Sequence, residues 1–248
     1  MDPSERAARM RRLEVNQGQR ALDGAWVVVR VDGRGFSKFT ERRFQKPFDA
    51  EFHALMCQVA EALVEDLQGV FAYVQSDEIS LVLPRDWALF DRRMEKIVSL
   101  SAGRASAVFT LGVGEPAVFD ARAWVGATDA QLAEYFVWRQ GDATRCALST
   151  AAYWTLRGDG YTAREATREL EGVGRAYKNE VMFTRGVNFN DLPAWQRRGV
   201  CVGWETYLKQ GEDPRTGEKV EVERRRIAID PEIPIGEAFG AYAVARAS

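Results

Sequence analysis

Histidine and cysteine are scarce in this sequence, which excludes several classes of protein. The three cysteines, Cys57, Cys146 and Cys201, are odd in number and far apart, so they predict no disulfide framework and favour a reducing compartment. None of them has the C-x-x-C spacing of a zinc site, and we expect all three to be small core residues. We expect the single histidine, His53, to be a surface or half-buried side chain.

Long apolar runs and a strong excess of charge are missing as well. No stretch approaches the roughly 18 apolar residues of a membrane span, and the N-terminal MDPSERAARMRRLEV has no apolar core of a secretory signal. The formal net charge of −2 excludes a protein that coats nucleic acid by bulk electrostatics, although local basic patches can still bind it. Together these absences predict a cytoplasmic protein.

Hydrophobic periodicity in the first half predicts strands and helices in the order β-α-β-β-α-β. Apolar β-branched runs predict buried strands, and apolar residues at three- and four-residue steps predict helices. After an N-terminal helix from Ser4 to about Val15, the predicted elements are a strand at Ala25–Val31, a helix from Pro47, strands at 70–74 and 79–84, a helix at about Trp87–Val108 and a strand at 117–125. This order is that of the split βαβ, ferredoxin-like α+β folds.

The second half has a different pattern. Thr128 or Asp129 is expected to begin a long helix that extends to about Leu156, and shorter helices are expected near TAREATRELEG and AYKNEVMF. Two strand-like runs, GVCVGWETYLK and KVEVERRRIAI, flank a predicted turn at EDPRTGEK. We expect the last residues, GAYAVARAS, to be frayed.

Acidic residues of the first half are expected to meet at one edge of the sheet. In a βαββαβ sheet the third strand lies between the first and second, so the end of the first strand meets the turn between the other two. Asp32 follows the first strand, and Asp77 with Glu78 occupies that turn. Crowded carboxylates repel each other unless a cation lies between them, and Mg²⁺ prefers carboxylate and phosphate oxygens. The pattern is consistent with a two-metal site for nucleotidyl transfer, and two unrelated acidic turns explain it equally well.

The glycine-rich segment DGRGFSKF, which follows the first strand, carries groups suited to a triphosphate. Its backbone N–H groups can surround phosphate oxygens, which Lys38 and Lys46 can neutralise. On the helix after the acidic turn, Arg92, Arg93 and Lys96 are expected to share a polar face. A solvated helix face explains those three residues equally well.

Several segments together resemble the tRNA-histidine guanylyltransferase family and its bacterial and archaeal relatives. They are VVVRVDGRGFSKFT, KPFD, YVQSDEISLVLP, FDRRMEKIVSL, FDARAWV, WRQGDA and KNEVMF, in this order along the chain. The resemblance spans Trp26 to Phe183 in register and continues more weakly to ERRRIAI. The spacing of DGRGF and QSDE, with WRQ and KNE downstream, is very specific to this family.

The resemblance implies a fold, a reaction and partners. The fold is a polymerase-like palm with an added helical, fingers-like part, assembled as a homotetramer. In this sequence the palm-type catalytic region would cover residues 1–127, and the helical part with C-terminal strands would cover 128–248, packed with it as one compact unit. The implied reaction adds nucleotides from GTP, ATP or other NTPs to the 5′ end of tRNA, in the 3′-to-5′ direction.

The family motifs also assign residues by their position in this sequence. Two Mg²⁺ ions would be bound by Asp32, the carbonyl of Gly33, and Asp77. The triphosphate would be bound by Gly33, Arg34, Gly35, Phe36, Ser37, Lys38, Lys46 and Ser76. A second nucleotide or the tRNA 5′ end would be bound by Arg30, Arg93, Lys96, Lys178 and Asn179. Glu78 joins Asp32 and Asp77 as a catalytic residue, as a support of the site rather than a direct metal ligand.

One segment departs from the family pattern. Members that add a guanosine to tRNA-histidine have a HINNLYN-like segment after WRQAD, where this sequence has TRCALST (Thr144–Thr150). This resembles the guanylyltransferase-like branch, so we expect template-dependent repair of 5′-truncated tRNAs, with relaxed choice of NTP and GTP favoured. Addition of a single G at position −1 is the first alternative. A palm-type nucleotide cyclase and a non-catalytic tRNA-binding protein are further alternatives, although the acidic positions are kept and QSDE matches a cyclase hairpin poorly.

The tryptophans and a late arginine cluster each allow two interpretations. The tryptophans are expected mostly in the core, but Trp138 is a candidate for stacking on a base. The side chains of Arg224, Arg225 and Arg226 alternate along a predicted strand, so at least one of them should face solvent or RNA.

Overall fold

A computed structural model describes residues 2–14, 18–212, 215 and 219–248 of the chain. The helices are α1 Pro3–Arg11, α2 Phe36–Arg43, α3 Ala50–Asp66, α4 Met94–Val113, α5 Asp129–Gly158, α6 Ala163–Leu170, α7 Arg175–Phe183, α8 Ala194–Arg198 and α9 Glu237–Ala247. The strands are β1 Trp26–Gly33, β2 Phe71–Gln75, β3 Glu78–Leu83, β4 Phe119–Gly126, β5 Val200–Glu212 and β6 Lys219–Asp230. Short 3₁₀ turns lie at Leu89–Arg92 and Phe189–Asp191.

The six strands form one sheet in the order β4-β1-β3-β2-β5-β6, with antiparallel pairing between neighbours. The predicted position of β3 between β1 and β2 is confirmed, as is the ferredoxin-like order of the first four strands. The two late strands, predicted from alternating patterns, extend this sheet beyond β2.

Alternation along β1 sends its side chains to two different layers. Val27, Val29 and Val31 pack into the core formed with α3 and α4. Trp26 and Val28 pack on the other side of the sheet, in a core that includes residues of α5 and α9. Because successive strand residues point to opposite faces, Arg30 and Asp32 belong to the α5 side.

The structure corrects several predicted helix boundaries. Helix α1 begins after Asp2, which caps it in place of the expected Ser4, and it ends at Arg11; the predicted end at Val15 lies outside the described residues. Most of the predicted EDPRTGEK turn also lies outside them. Helices α2 and α8 were not expected, since their apolar periodicity is short.

The helix expected from Trp87 begins at Met94 instead. Phe90, Asp91 and Arg92 have φ values of 55°, 56° and 54°, which break the helix before α4. Arg92 is 6% exposed, so it does not share the predicted polar face with Lys96. Its guanidinium donates hydrogen bonds to the backbone carbonyls of Ala21, Leu22, Ala25, Arg85 and Trp87. Those bonds satisfy a buried charge and hold the unusual backbone in place.

The C-terminal residues form helix α9 rather than a frayed end. Phe239 and Ala243 are fully buried against α5. The buried side chain of Gln140 on α5 secures the approach to α9, because its amide donates to the Pro234 carbonyl at 2.8 Å and accepts from the Gly236 N–H at 2.9 Å. The small residues of this segment led to the prediction of a frayed end. In the structure, small residues such as Gly240 allow α9 to pack closely on α5.

None of the helices in the described ranges is both long enough and apolar enough to cross a membrane.

Candidate active site

The end of β1 and the turn between β2 and β3 meet as the topology predicts. The N–H of Gly33 donates to the carbonyl of Asp77 at 3.1 Å. Asp32 lies directly opposite Glu78 on β3 and directly opposite Asp120 on β4. Acidic residues from three strands and one turn therefore gather at this edge of the sheet.

Burial and repulsion by a neighbouring carboxylate raise the pKa values of both expected metal ligands. Burial, followed by the negative charge of Asp32, raises the pKa of Asp77 to about 6, although the Ser76 hydroxyl stabilises the ionised form by a hydrogen bond. Burial and then Asp120 raise the pKa of Asp32, while Arg122 and Arg30 oppose that rise. Two carboxylates held this way favour a proton or a metal cation beside them.

Each carboxylate that flanks Asp32 across the sheet has its own arginine. Arg139 of α5 binds Glu78 with two nitrogens, Nε to Oε1 at 2.8 Å and Nη2 to Oε2 at 2.6 Å. Asp120 pairs with Arg122 at 3.0 Å. Within the described ranges, by contrast, Asp32 and Asp77 are in no ion pair. The geometry gives Glu78 a supporting position and leaves Asp32 and Asp77 for a cation.

The donor set at this edge fits Mg²⁺ bound together with a substrate. Among the described residues, no three His, Cys, Asp or Glu side chains are grouped closely enough to form a metal site alone. Two carboxylates, with a backbone carbonyl such as that of Gly33, supply the oxygen ligands that Mg²⁺ takes, and the remaining positions go to phosphate oxygens and water.

Glycine is required at Gly33 and favoured at Gly35. A Cβ on Gly33 would lie 2.4 Å from the ring of Phe36, and Gly35 has a φ of 73°. Phe36 is buried among aromatic rings that include Phe109 and Phe119, so it anchors the start of α2 rather than pointing to solvent. Gly35 caps α2 without a side-chain hydrogen bond, which leaves first-turn N–H groups for phosphate oxygens. The predicted triphosphate residues Arg34, Ser37 and Lys38 are exposed around this turn.

A cavity of about 380 Å³ opens beside Asp77, between α2, the β2–β3 turn, α5 and α8. Its end nearest the carboxylates is polar and includes Ser37, Lys46, Ser76 and Asp77. Its walls further in are largely aromatic and include Phe48, His53, Tyr153, Trp154 and Trp195. A polar end beside an aromatic chamber suits a triphosphate joined to a nucleobase.

Lys46 supplies the positive charge at the cavity. Its Nζ donates to Thr40 Oγ1 at 2.5 Å. Burial lowers its pKa, against the opposing influence of Glu41, Asp77 and Asp49. The position agrees with the predicted triphosphate contact, which stays a prediction.

His53 is half-buried, as expected, but it also lines the cavity, which the sequence did not reveal. Its ring stacks on Trp195 with centroids 4.6 Å apart, and its Nε2 lies 3.7 Å from the Cys57 sulfur one helical turn further on. Burial lowers the pKa of His53, which favours the neutral ring. The histidine therefore serves as an aromatic wall.

The structure does not bring Arg93 and Lys96 to this site within one chain. Arg93 caps α4 next to Arg20, at the edge of the sheet where β1 begins, whereas Asp32 lies at the end of β1. Six residue steps along β1, from Trp26 to Asp32, separate the two places by about 20 Å. A shared ligand would have to span that distance.

Lys178 and Asn179 lie on α7, across α5 from the cavity. Lys178 donates to the Ser149 hydroxyl at 2.9 Å, and it lines a separate groove of about 520 Å³ with Arg145 and Arg175. The TRCALST segment therefore faces both ways: Cys146, Ala147 and Thr150 line the cavity, and Thr144, Arg145, Leu148 and Ser149 line the groove.

Two expectations about core residues were wrong in part. Cys57 and Cys201 are buried, but Cys146 is exposed at the cavity. Trp138 is 53% exposed on α5, with the guanidinium carbons of Arg30 and Arg139 at 5.6 and 4.5 Å from its ring centroid. The exposed ring of Trp138 is therefore still a candidate for stacking on a base, and Arg30 lies beside the same ring.

Comparisons with known proteins match almost the whole chain. A family model described as tRNAHis guanylyltransferase matches residues 7–127, and one described as Thg1 C terminal domain matches residues 130–232. The tRNA(His) guanylyltransferase of Debaryomyces hansenii is 34% identical over 228 residues, covering 84% of this chain and 86% of that protein.

Two solved structures show the same fold. A bacterial tRNA(His) guanylyltransferase (Thg1)-like protein in complex with ATP is 28% identical, with a TM-score of 0.75 over 97% of this chain and 98% of that one. The structure of such a protein with GTP is 27% identical, with a TM-score of 0.72 over 98% of this chain and 99% of that one.

Proposed function

Because the chain belongs to the tRNA(His) guanylyltransferase family, a family of nucleotidyltransferases that act on tRNA, we propose that it is a template-dependent 3′-to-5′ polymerase that repairs 5′-truncated tRNAs. The observation that carries this proposal is the position of TRCALST. The segment provides part of the α5 wall of the cavity, through Cys146, Ala147 and Thr150. A thiol, a methyl group and a hydroxyl offer no bidentate hydrogen bonding that would select one base.

Pairing with a template strand then selects the incoming nucleotide. The solved bacterial relatives contain ATP in one structure and GTP in the other, which supports a site that accepts more than one purine nucleotide. Asp49, which also lines the cavity, has both carboxylate oxygens occupied by the backbone N–H groups of Phe52 and Gln45. These parts of the cavity wall favour shape and stacking over base reading, whereas Gln45, Gln75 and Gln196 elsewhere in the lining carry amide groups. The preference for GTP follows from the family resemblance.

The residues of the site divide the work of nucleotidyl transfer. Asp32 and Asp77, with the Gly33 carbonyl, would hold two Mg²⁺ ions, which when bound orient the attacking hydroxyl and neutralise the leaving phosphates. Lys46, Ser76 and the first-turn N–H groups of α2 bind the triphosphate and fix its direction. Arg139 keeps Glu78 in place beside them.

Addition of a single guanosine at position −1 of tRNA-histidine is the second candidate. It is favoured by the name of the Debaryomyces relative, which is 34% identical over most of its length. Assembly as a homotetramer and a cytoplasmic location are parts of the proposal that follow from the family resemblance and from the scarcity of cysteine.

A labelled-NTP extension assay with Mg²⁺ tests the proposal. One substrate is a 5′-triphosphorylated tRNA-histidine transcript that lacks its first nucleotide, and the other is the full-length 5′-monophosphorylated transcript. We expect extension of the truncated tRNA that stops when the acceptor stem is fully paired. Preferential addition of guanosine to the full-length tRNA would establish the second candidate. Loss of both activities, with NTP still bound, would reject both.

A further inference from the structure

Helix α2 and the segment after it provide two separate parts of the triphosphate site. The first-turn N–H groups follow Gly35 at the start of the helix, and the ammonium group of Lys46 follows its end at Arg43. Ser37 of the first turn and Lys46 both line the polar end of the cavity. Because a long side chain loses rotamer freedom when it binds a ligand, a contact that holds Lys46 in place beforehand favours binding.

The hydroxyl of Thr40 joins these two parts. Its Oγ1 donates to the Phe36 carbonyl at 2.8 Å, one turn earlier in α2, and accepts from Lys46 Nζ at 2.5 Å. Because a hydroxyl has one hydrogen and two lone pairs, donation to a backbone carbonyl leaves the lone pairs for the ammonium group. Thr40 is buried, and Phe36 is anchored among aromatic rings, so the position of this hydroxyl is fixed by the helix.

Three carboxylates act on Lys46 without pairing with it. The negative charges of Glu41, Asp77 and Asp49 each oppose the fall in its pKa that burial causes. In the part of the chain that the structure describes, however, Lys46 is in no ion pair. Because the group that holds the ammonium is the neutral hydroxyl of Thr40, the positive charge is not cancelled and stays available for a triphosphate.

We propose that Thr40 is a positioning residue, which holds the Lys46 ammonium group in a fixed place relative to the first turn of α2 so that both contact one nucleoside triphosphate. An ammonium group has three hydrogens, and Thr40 takes one of them, so the others are left for phosphate oxygens. Thr40 thus acts through Lys46 and not on the nucleotide itself. This role rests on the triphosphate site of the proposed function, but not on repair or on the choice of base.

Two substitutions of Thr40 provide a matched test, each made in the wild type and in Lys46→Met. Thr40→Val removes the hydroxyl and keeps the shape, whereas Thr40→Ser keeps the hydroxyl. KM for GTP and kcat are measured with Mg²⁺ and the truncated, 5′-triphosphorylated tRNA-histidine transcript. We expect Thr40→Val to raise the KM about three- to tenfold with kcat changed less than about twofold, and Thr40→Ser to restore the wild-type KM. In Lys46→Met, we expect Thr40→Val to raise the KM no further.

Each contrary result overturns the role of Thr40 for a different reason. An unchanged KM for GTP in Thr40→Val would mean that Lys46 does not need the hydroxyl. An equal rise in the wild type and in Lys46→Met would mean that the hydroxyl contacts the nucleotide directly or shapes α2, independently of Lys46. A Thr40→Ser variant as impaired as Thr40→Val would mean that the hydroxyl is not the group that matters.

Two further measurements separate this role from the stability of α2 and from the proposed function. Thermal unfolding checks that each variant is folded, and Thr40→Ala repeats the comparison with Thr40→Ser if Thr40→Val fails to fold. Binding of a non-hydrolysable GTP analogue is measured by titration. Wild-type protein that does not bind the analogue would reject the triphosphate site and the proposed function with it. Wild-type and Thr40→Val proteins that bind it equally well would reject the role of Thr40 alone.

Discussion

Arg139 holds Glu78 through two hydrogen bonds, at 2.8 and 2.6 Å, from a helix that lies 61 residues further along the chain. The side chain of Arg139 is only 8% exposed, so this charge-assisted pair is largely withdrawn from water. The pair neutralises Glu78, the first residue of β3, whereas the adjacent Asp77 of the β2–β3 turn forms no ion pair within the described ranges. Opposite consequences therefore follow from removing the two charges.

Asp77→Asn should stabilise the metal-free fold while abolishing nucleotide transfer. The pKa of Asp77 is raised to about 6, so the folded protein binds a proton more tightly than the unfolded chain, and ionised Asp77 destabilises the fold at pH 7.5. In EDTA we expect the free energy of unfolding of the variant to exceed that of the wild type by about 1–3 kcal/mol. We also expect the variant to lack the further stabilisation that Mg²⁺ gives the wild type. Calorimetry with EDTA or Mg²⁺ measures both effects.

The gain should depend on pH in one direction. As the pH falls from about 6 toward the ordinary range of an aspartate, wild-type Asp77 takes up a proton in the fold and the difference from Asp77→Asn shrinks. A variant no more stable than the wild type in EDTA at pH 7.5 would contradict the predicted repulsion. Near-normal transfer activity in that variant would reject Asp77 as a metal ligand.

Glu78→Gln should destabilise the protein whether or not Mg²⁺ is present. The change leaves the buried guanidinium of Arg139 without its main partner, which costs about 2–4 kcal/mol. Chemical denaturation measures the loss. Asp142→Asn is the matched control, because Asp142 contacts the same guanidinium at 3.2 Å but is more exposed, and we expect it to cost under about 1 kcal/mol. Equal losses in the two variants would remove the special role of the Arg139–Glu78 pair.

Gly33→Ala should disable the site by a steric effect. A Cβ there would lie 2.4 Å from the Phe36 ring, so the start of α2 must shift, and we expect NTP binding and transfer to fall together by more than about tenfold. At Gly35 a Cβ meets no atom within 4 Å, and the cost of Gly35→Ala is backbone strain of about 1 kcal/mol. Isothermal titration with a non-hydrolysable GTP analogue compares the two. A Gly33→Ala variant that binds the analogue as well as Gly35→Ala does would be the contrary result.

Lys46→Met should raise the KM for NTP more than it lowers kcat. The ammonium group lies at the polar end of the cavity, and its loss removes a charge-assisted contact to the triphosphate, worth about tenfold or more in KM. Lys96→Met is the control, because Lys96 belongs to the other end of the sheet, and we expect its KM for NTP to be unchanged. Steady-state kinetics with each NTP in turn measures the two KM values. If Lys96 were the triphosphate ligand, Lys96→Met would raise the KM for NTP and Lys46→Met would not.

The topology and the meeting of Asp32 with Asp77 could be predicted because both depend on regular patterns. Alternation and apolar runs identify strands, and the βαββαβ order then determines which strand ends are neighbours. The residues that surround those carboxylates could not be predicted from the sequence. Asp120 is found only from the register of β4 on β1, and the WRQ motif gave no sign that Arg139 reaches Glu78.

The wrong predictions for Arg92 and for the C-terminal residues also result from contacts that the local sequence does not reveal. Arg92 looks like a solvated helix residue until its five carbonyl partners are known, because three of them, those of Ala21, Leu22 and Ala25, lie 67 to 71 residues earlier in the chain. The C-terminal residues look weakly structured because small side chains dominate them, yet small size is what lets Gly240 and Ala243 approach α5. Long-range packing, rather than local propensity, decides these positions.

Helix α5 has one more consequence, for any attempt to take the protein apart. It is a single helix of 30 residues, about 45 Å long, with Leu132 and Phe136 lying on the sheet and its later turns lining the cavity. A fragment that stopped before α5 would expose Phe71, Tyr73 and Val82 to water. The remaining fragment would expose the apolar face of α5, including Leu132 and Phe136. We expect that neither piece would fold by itself, so the enzyme should be studied by point substitution rather than by division into halves.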